Sequence, residues 1–406
     1  MELSNTPIAQ RCHIAFFGCR NAGKSSVVNA ITNQEISVVS AIKGTTTDPV
    51  KKTMELLPIG PVVIIDTAGL DDVGELGALR VEKTKQVLSK TDIAILVVDS
   101  TVGLNNFDLE LIETFKLQKI PYLVVFNKSD LMPEIKLGEN EICVSALTGE
   151  NIGLLKEKIG EFAKNNVKET FIVKDKIQEG DIVVLVIPID ESAPKGRIIL
   201  PQQNTLRELL DAHCTVICCQ DTELAQTLEN LKKKPKVVIT DSQVFGKIKD
   251  VVPKDVLLTS FSILFARYKG NLETLVRGAL KISTLKDGDK VLISEACTHH
   301  RQCNDIGTVK LPNWLKNYTK KDLSFEFTSG GDFPSNLEEF SLVIHCGGCM
   351  LNEKEMQSRI NTVKSANLQV VNYGVAIAYM NGILERSLEI FPEILEILKS
   401  CKNQKL

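Results

Sequence analysis

Short apolar runs alternate along this chain with longer amphipathic stretches, and the pattern restarts twice. His13-Ile14-Ala15-Phe16-Phe17, Val62 to Ile65, Ile93 to Val98, Tyr122 to Phe126 and Ile142 to Val144 are too short for helices and rich in β-branched and aromatic residues. They read as buried strands of a largely parallel sheet. A helix from about Ile152 to Lys164 ends this series, and the polar bridge Asn165-Asn166-Val167-Lys168-Glu169 follows it. The runs Ile182 to Ile187, Thr215 to Cys219, Val237 to Thr240 and Val256 to Leu258 then alternate with helical stretches at Thr205 to Leu210 and Thr222 to Leu231. From about Asn271 a third series begins, with strands leading to Ile293, at Ser324 to Phe327, at Ser341 to Ile344 and at Leu368 to Val371, and a helix over Glu353 to Ala366. Strands that alternate with helices in this way predict an α/β fold in three parts, 1–168, 169–270 and 271–406.

The first strand runs straight into Gly18-Cys19-Arg20-Asn21-Ala22-Gly23-Lys24-Ser25-Ser26, which is G-x-x-x-x-G-K-S between a strand and a helix. In that setting Gly18 and Gly23 let the backbone wrap phosphates, and the N–H groups from Ala22 to Ser26 supply positive field at the helix start. Lys24 reaches the terminal phosphates and Ser25 ligates Mg²⁺. The strand Val62 to Ile65 delivers Asp66-Thr67-Ala68-Gly69, where Asp66 can hold the Mg²⁺ shell and the Gly69 N–H can sense a γ-phosphate. The strand Tyr122 to Phe126 delivers Asn127-Lys128-Ser129-Asp130. A fixed carboxylate at Asp130 accepts two hydrogen bonds from neighbouring donors, a pair that guanine offers and adenine does not. Ser145 and Ala146 can close over the base from the other side.

Residues 10 to 165 therefore resemble a GTPase domain. Asn21, together with Gly44-Thr45-Thr46-Thr47-Asp48, is similar to the branch of GTPases activated by K⁺. That resemblance implies that Asn21 supplies a K⁺ ligand and that Thr46 is the switch threonine on Mg²⁺, so that Lys24, Asn21 and Thr46 carry catalysis. Leu70 stands where Ras-like proteins place a glutamine and cannot orient a water, so slow hydrolysis of GTP to GDP is expected. The segment from Asp71 to Arg80 is expected to be a second switch that changes shape with nucleotide state.

Composition narrows the rest. The net charge is −3, and residues 271–406 carry 16 Lys+Arg against 16 Asp+Glu, so neither the chain nor its last third offers a basic field for nucleic acid or an anionic membrane. The first residues have no basic or apolar leader character, and no apolar run approaches the ~18 residues of a membrane span. A cytoplasmic protein is expected. Eleven cysteines without an export signal point to thiolate chemistry rather than disulfides. Cys214, Cys218 and Cys219 fall on or beside an apolar strand and read as core residues; the middle part, with no visible chemistry, is expected to hold a homodimer.

The third part carries the remaining signal. His345-Cys346-Gly347-Gly348-Cys349 follows one strand and Cys297-Thr298-His299-His300 follows another, at the strand ends where open α/β sheets place ligands. The two glycines allow a tight path and leave main-chain N–H groups free to face bound sulfur. Three thiolates suit a [4Fe–4S] cluster that leaves one iron without a cysteine; a Zn²⁺ held by three Cys and one His is the competing assignment. The fourth ligand stays open among His299, His300, Cys303 and Asp305.

A GTPase domain combined with Cys-x-His and His-Cys-x-x-Cys near the other end resembles the HydF family, the GTPase maturation factors of [FeFe]-hydrogenase. The resemblance covers nearly the whole chain. It implies a P-loop GTPase domain followed by two smaller α/β domains, one for dimerisation and one for the cluster. The ligands it implies are Cys297, Cys346 and Cys349, with His299 and His345 as accompanying histidines. It further implies a homodimer or higher oligomer that receives a di-iron precursor from the radical-SAM maturases HydE and HydG and hands it to apo-hydrogenase HydA. The alternative is a K⁺-dependent GTPase of RNA modification or ribosome assembly with a Zn-stabilised appendage.

Overall fold

The structure, a computed structural model, describes residues 7–32, 50–57, 59–67, 84–132, 136–166, 170–189, 198–296, 305–330, 333–334 and 336–403. The chain divides into two compact units, 1–169 and 170–406. The expected α/β architecture is present in both.

In the first unit, six strands lie in the order β2-β3-β1-β4-β5-β6. They are β1 (Cys12–Phe17), β2 (Val50–Leu56), β3 (Gly60–Asp66), β4 (Ile93–Asp99), β5 (Tyr122–Asn127) and β6 (Glu141–Cys143). All pairs are parallel except β2 with β3. Side chains of a strand alternate between faces, so Ile14 and Phe16 pack into one apolar layer and Ala15 and Phe17 into the other. Both faces of the sheet are covered, which is why its central strands read as continuous apolar runs. Strand β2 escaped the sequence reading because it sits at the edge and alternates: Met54 and Leu56 are buried, while Thr53 and Glu55 are exposed.

The second unit holds two four-stranded parallel sheets over one shared core, from Ile172 to Leu398. The first consists of β7 (Ile182–Val186), β8 (Thr215–Cys219), β9 (Val237–Thr240) and β10 (Leu257–Ser260), in the order β10-β9-β7-β8. The second consists of β11 (Lys290–Glu295), β12 (Ser324–Ser329), β13 (Leu342–His345) and β14 (Val370–Asn372), in the order β12-β11-β13-β14. Counted from its own first strand, each sheet has the arrangement second-first-third-fourth. Each therefore reverses direction between its first and third strands, and the crevice for a ligand opens there. In the later sheet that crevice lies between the ends of β11 and β13, where the register pairs Ser294 with His345. The boundary expected at residue 270 runs inside this unit, between the helices Phe261–Lys269 and Leu272–Ala279.

One expectation is corrected. Cys214 is buried, but Cys218 is exposed. Among the described residues strand β8 pairs with β7 alone and so forms an edge of the sheet, where the Cys218 side chain is exposed.

Candidate functional site

The phosphate loop joins β1 to the helix Lys24–Thr32. Gly23 has φ +85°, and a Cβ there would lie 2.3 Å from the Asn127 side-chain nitrogen, so the second loop glycine is required both by conformation and by space. The buried Lys24 ammonium donates to the Gly18 and Cys19 carbonyl oxygens at 2.8 and 3.3 Å. Asn21 adopts the left-handed conformation, φ +65°, and is exposed. Ala22 is buried; Ser25 and Ser26 face solvent at the first turn of the helix.

Asp66 ends β3, next to β1 in the sheet, and this adjacency brings it to Ser25: the Ser25 hydroxyl donates to Asp66 Oδ2 at 3.0 Å. Asp66 Oδ1 is buried and has no hydrogen-bond partner among the described residues. Burial raises the Asp66 carboxyl above the usual carboxylate range, against the Ser25 hydrogen bond and the Lys24 charge. A buried oxygen of this kind, beside a serine hydroxyl, is a hard donor set that fits a divalent ion such as Mg²⁺.

Strand β5 ends at Asn127, which ties the base side of the site to the phosphate loop. Its side-chain nitrogen donates to Ala22 O at 3.1 Å, and its Oδ1 accepts from the Ala146 amide at 3.1 Å. Ser145, fully buried, donates to Asp130 Oδ1 at 2.6 Å and so orients the carboxylate. Lys128 pairs with Asp99 at the end of β4, a partner the sequence reading did not assign. Burial pushes Asp99 upward, and the Lys128 and Thr101 hydrogen bonds more than offset this, leaving it below the usual carboxylate range. Thr46, Gly69, Leu70 and the segment 71–80 lie outside the described residues.

In the later sheet, the Cys346 amide continues the ladder by donating to Ser294 O at 2.9 Å. The Cys346 sulfur accepts from the Ala296 amide at 3.1 Å and from the Gly348 amide at 3.4 Å. Gly348 has φ +62°, so the turn that aims its N–H at the sulfur suits glycine. Two backbone donors thus reach a half-buried sulfur of the type that binds a soft metal. Cys349 is half-buried in the same loop, and Cys297 follows Ala296 directly in the chain. These residues fit a sulfur-ligated group. Among the described residues no three His, Cys, Asp or Glu side chains form a metal-holding group; Cys297, His299, His300 and Cys303 lie outside them.

Both nitrogens of the buried His345 are engaged. Nε2 faces Arg359 Nη1 at 3.1 Å, and because arginine can only donate, Nε2 is the acceptor and Nδ1 carries the proton given to Cys346 O at 2.8 Å. Burial, with Arg359 beside it, pushes the imidazole down to about 4. His345 is thus a neutral support for the backbone of Cys346 as placed. Arg359 is itself held by the Gly330 carbonyl at 2.7 Å and by Glu355 at 3.4 Å, with the Phe333 ring 5.3 Å away. Asp305, one of the fourth-ligand candidates, is buried, and its Oδ2 accepts from the amide and hydroxyl of Thr308 at 2.8 and 2.9 Å. Lys269, unnoticed in the sequence, lines a cavity of about 20 Å³ with His345, Cys346 and Arg359.

The hydrogen maturase F dimerization domain matches residues 172–270, and the hydrogen maturase F tetramerization domain matches residues 273–390. The chain belongs to the HydF family. A 50S ribosome-binding GTPase family matches residues 13–128 of this HydF chain. Over the same unit it is similar to the tRNA modification GTPase MnmE of Lactococcus lactis subsp. cremoris strain SK11, 37% identical over 153 residues, 36% of this chain and 32% of that protein. MnmE of Aquifex aeolicus is 33% identical over 168 residues, 40% of this chain and 37% of that protein. The chain spans about a third of the length of these curated relatives. Among solved structures, a probable GTP-binding protein engB is 24% identical with a TM-score of 0.31, covering 38% of this chain and 100% of that one. No helix among the described residues is long and apolar enough to cross a membrane.

Proposed function

We propose that this HydF chain is the GTP-hydrolysing scaffold and carrier of [FeFe]-hydrogenase maturation. It holds a [4Fe–4S] cluster through Cys297, Cys346 and Cys349, accepts a di-iron precursor as cargo from the radical-SAM maturases HydE and HydG, and passes it to apo-hydrogenase HydA. The observation that carries the reading is the Cys346 sulfur with two backbone donors at the crevice between β11 and β13, in a chain that also presents a phosphate loop. A bound cluster supplies an iron without a cysteine ligand, to which a further group can attach. His345, anchored by Arg359, keeps the Cys346 carbonyl in place and the loop turned inward. The fourth ligand is His299, His300, Cys303, Asp305 or an outside group.

In the first unit, GTP is the substrate. Asp130, oriented by Ser145, reads the guanine edge; Asn127 holds the base and phosphate sides in register; Lys24 and the loop amides take the phosphate charge. Ser25, Asp66 and Thr46 would hold Mg²⁺, which would supply positive charge to the phosphates, and Asn21 would hold a K⁺ that supplies more. Leu70 leaves the attacking water unoriented, so turnover is slow and nucleotide state acts on partner affinity through the segment 71–80. The segments 1–168, 169–270 and 271–406 act as nucleotide, dimerisation and cluster modules of a homo-oligomer in the cytoplasm. A tRNA-modification role has support only from the first unit, where MnmE is similar.

Anaerobic reconstitution with iron and sulfide followed by EPR of the reduced protein tests the reading. A reduced [4Fe–4S] signal that Cys346→Ala abolishes is expected. Uptake of zinc alone, with no signal, would refute it.

A further inference from the structure

Lys269 is the last residue of the helix Phe261–Lys269, which leaves strand β10 without a loop. Ser260 both ends the strand and caps the helix, its Oγ accepting from the Ile263 amide at 3.2 Å. This helix belongs to the segment that matches the dimerization domain. Its terminal ammonium nevertheless reaches the cysteine loop of the following domain. Nζ donates to Leu351 O at 2.8 Å, to Cys349 O at 3.1 Å and to Gly348 O at 3.4 Å. Three carbonyl acceptors match the three N–H groups of an ammonium, so the contact set selects the charged form.

The side chain is 3% exposed, and its hydrogen-bond partners among the described residues are those three carbonyl oxygens, none of them a carboxylate. A buried charge without a counter-charge is costly, and carbonyl dipoles offset only part of that cost. The groups beside it that can become anionic are the thiols of Cys349 and Cys346. The ammonium therefore grips the backbone of the loop that carries the two thiols.

We propose that Lys269 is the positioning residue of the Cys346–Cys349 loop and places a positive charge behind it, for which the anionic group held by the thiols is the missing counter-charge. The inference rests on the reading of this loop as the iron–sulfur site. A positive charge close to the sulfurs stabilises the form that has gained an electron, so it favours the reduced cluster. It also makes the order of the cysteine loop depend on a helix that starts at the edge strand of the preceding sheet.

The test compares wild type, Lys269→Arg and Lys269→Met as full chains, loaded with iron and sulfide and titrated with dithionite through redox mediators. At one solution potential the ratio of reduced to oxidised cluster is expected to fall roughly tenfold in K269M and to be largely restored in K269R. An unchanged ratio in K269M would overturn the proposal. On the metal-free proteins, maleimide labelling of Cys349 is expected to be faster in K269M at unchanged far-ultraviolet circular dichroism, and equal rates would count against the anchoring role. Where K269M gives no folded protein, Lys269→Gln, uncharged but still a donor, replaces it in the redox titration, where an unchanged ratio would again overturn the proposal. A wild type that takes up no iron would refute the cluster reading instead, and the labelling comparison then decides the anchoring alone.

Discussion

Asn127 and Ala22 are joined across the nucleotide site: the buried Asn127 side chain donates to the Ala22 carbonyl at 3.1 Å while its own oxygen holds the Ala146 amide. One side chain thus couples the phosphate loop to both segments that frame the base. Asn127→Ala leaves a buried carbonyl and a part-buried amide unpaired, at about 1–3 kcal/mol each. GDP affinity, followed with a fluorescent analogue, is expected to fall at least tenfold, roughly what 1.4 kcal/mol produces. Gly23→Ala is expected to do the same, since its Cβ meets the Asn127 side-chain nitrogen at 2.3 Å.

Asp66 and Ser25 are expected to act on the divalent ion and not on the nucleotide itself. Asp66→Asn keeps a partner for the Ser25 hydroxyl but removes the charge. Nucleotide affinity measured in chelator should change little. The gain on adding Mg²⁺ should disappear. A variant that keeps the full Mg²⁺-dependent gain would place the ion elsewhere.

The pair Arg267–Asp175 gives the second unit a defined acid sensitivity. The guanidinium donates twice, at 2.8 and 2.5 Å, and stacks over Phe391 at 5.0 Å. Burial pushes Asp175 upward, but the Arg267 hydrogen bonds and charge more than offset it and hold the carboxyl below its usual 3.8. A folded-state pKa below the unfolded one means stability that is present above about pH 4 and lost as pH falls through the folded value. Trp314 is the single tryptophan and lies in 170–406, so its fluorescence follows that unit. In urea unfolding, the gap between wild type and Asp175→Asn should be constant from pH 7 to about pH 5 and close below pH 4. A gap that widened on acidification would contradict this assignment.

Arg359 is nearly buried, at 6% exposure, and holds His345, Glu355 and the Gly330 carbonyl together. Arg359→Met is expected to cost about 1–3 kcal/mol, because it leaves the buried His345 Nε2 and the Gly330 carbonyl without their donor. Arg359→Lys keeps the charge but loses the planar fork, and should recover only part of that stability. Trp314 fluorescence in denaturant measures both, and equal stability of wild type and R359M would show the network to be idle.

Much of this protein is determined by local sequence. Phosphate-loop, Asp66 and Asn127-to-Asp130 motifs place their residues at strand ends because chemistry at a doubly wound sheet needs a few contiguous residues after each strand, and the apolar runs disclose those strands. The cysteine loop was legible for the same reason. Strand β2 was not, because an edge strand with one wet face has no continuous apolar run. Cys218 looked like core in a strand whose apolar character is real but whose edge position is a property of the sheet. Lys269 and Arg359 lay in ordinary helical stretches, and nothing near them in sequence marks a partner 79 or 14 residues away. Only the packing of the helix Phe261–Lys269 against the helices Glu353–Ser365 and Tyr373–Met380 decides that its last ammonium is buried under the cysteine loop. Burial, counter-charge and long-range hydrogen bonds are set by what the folded chain brings together, and no local periodicity encodes them.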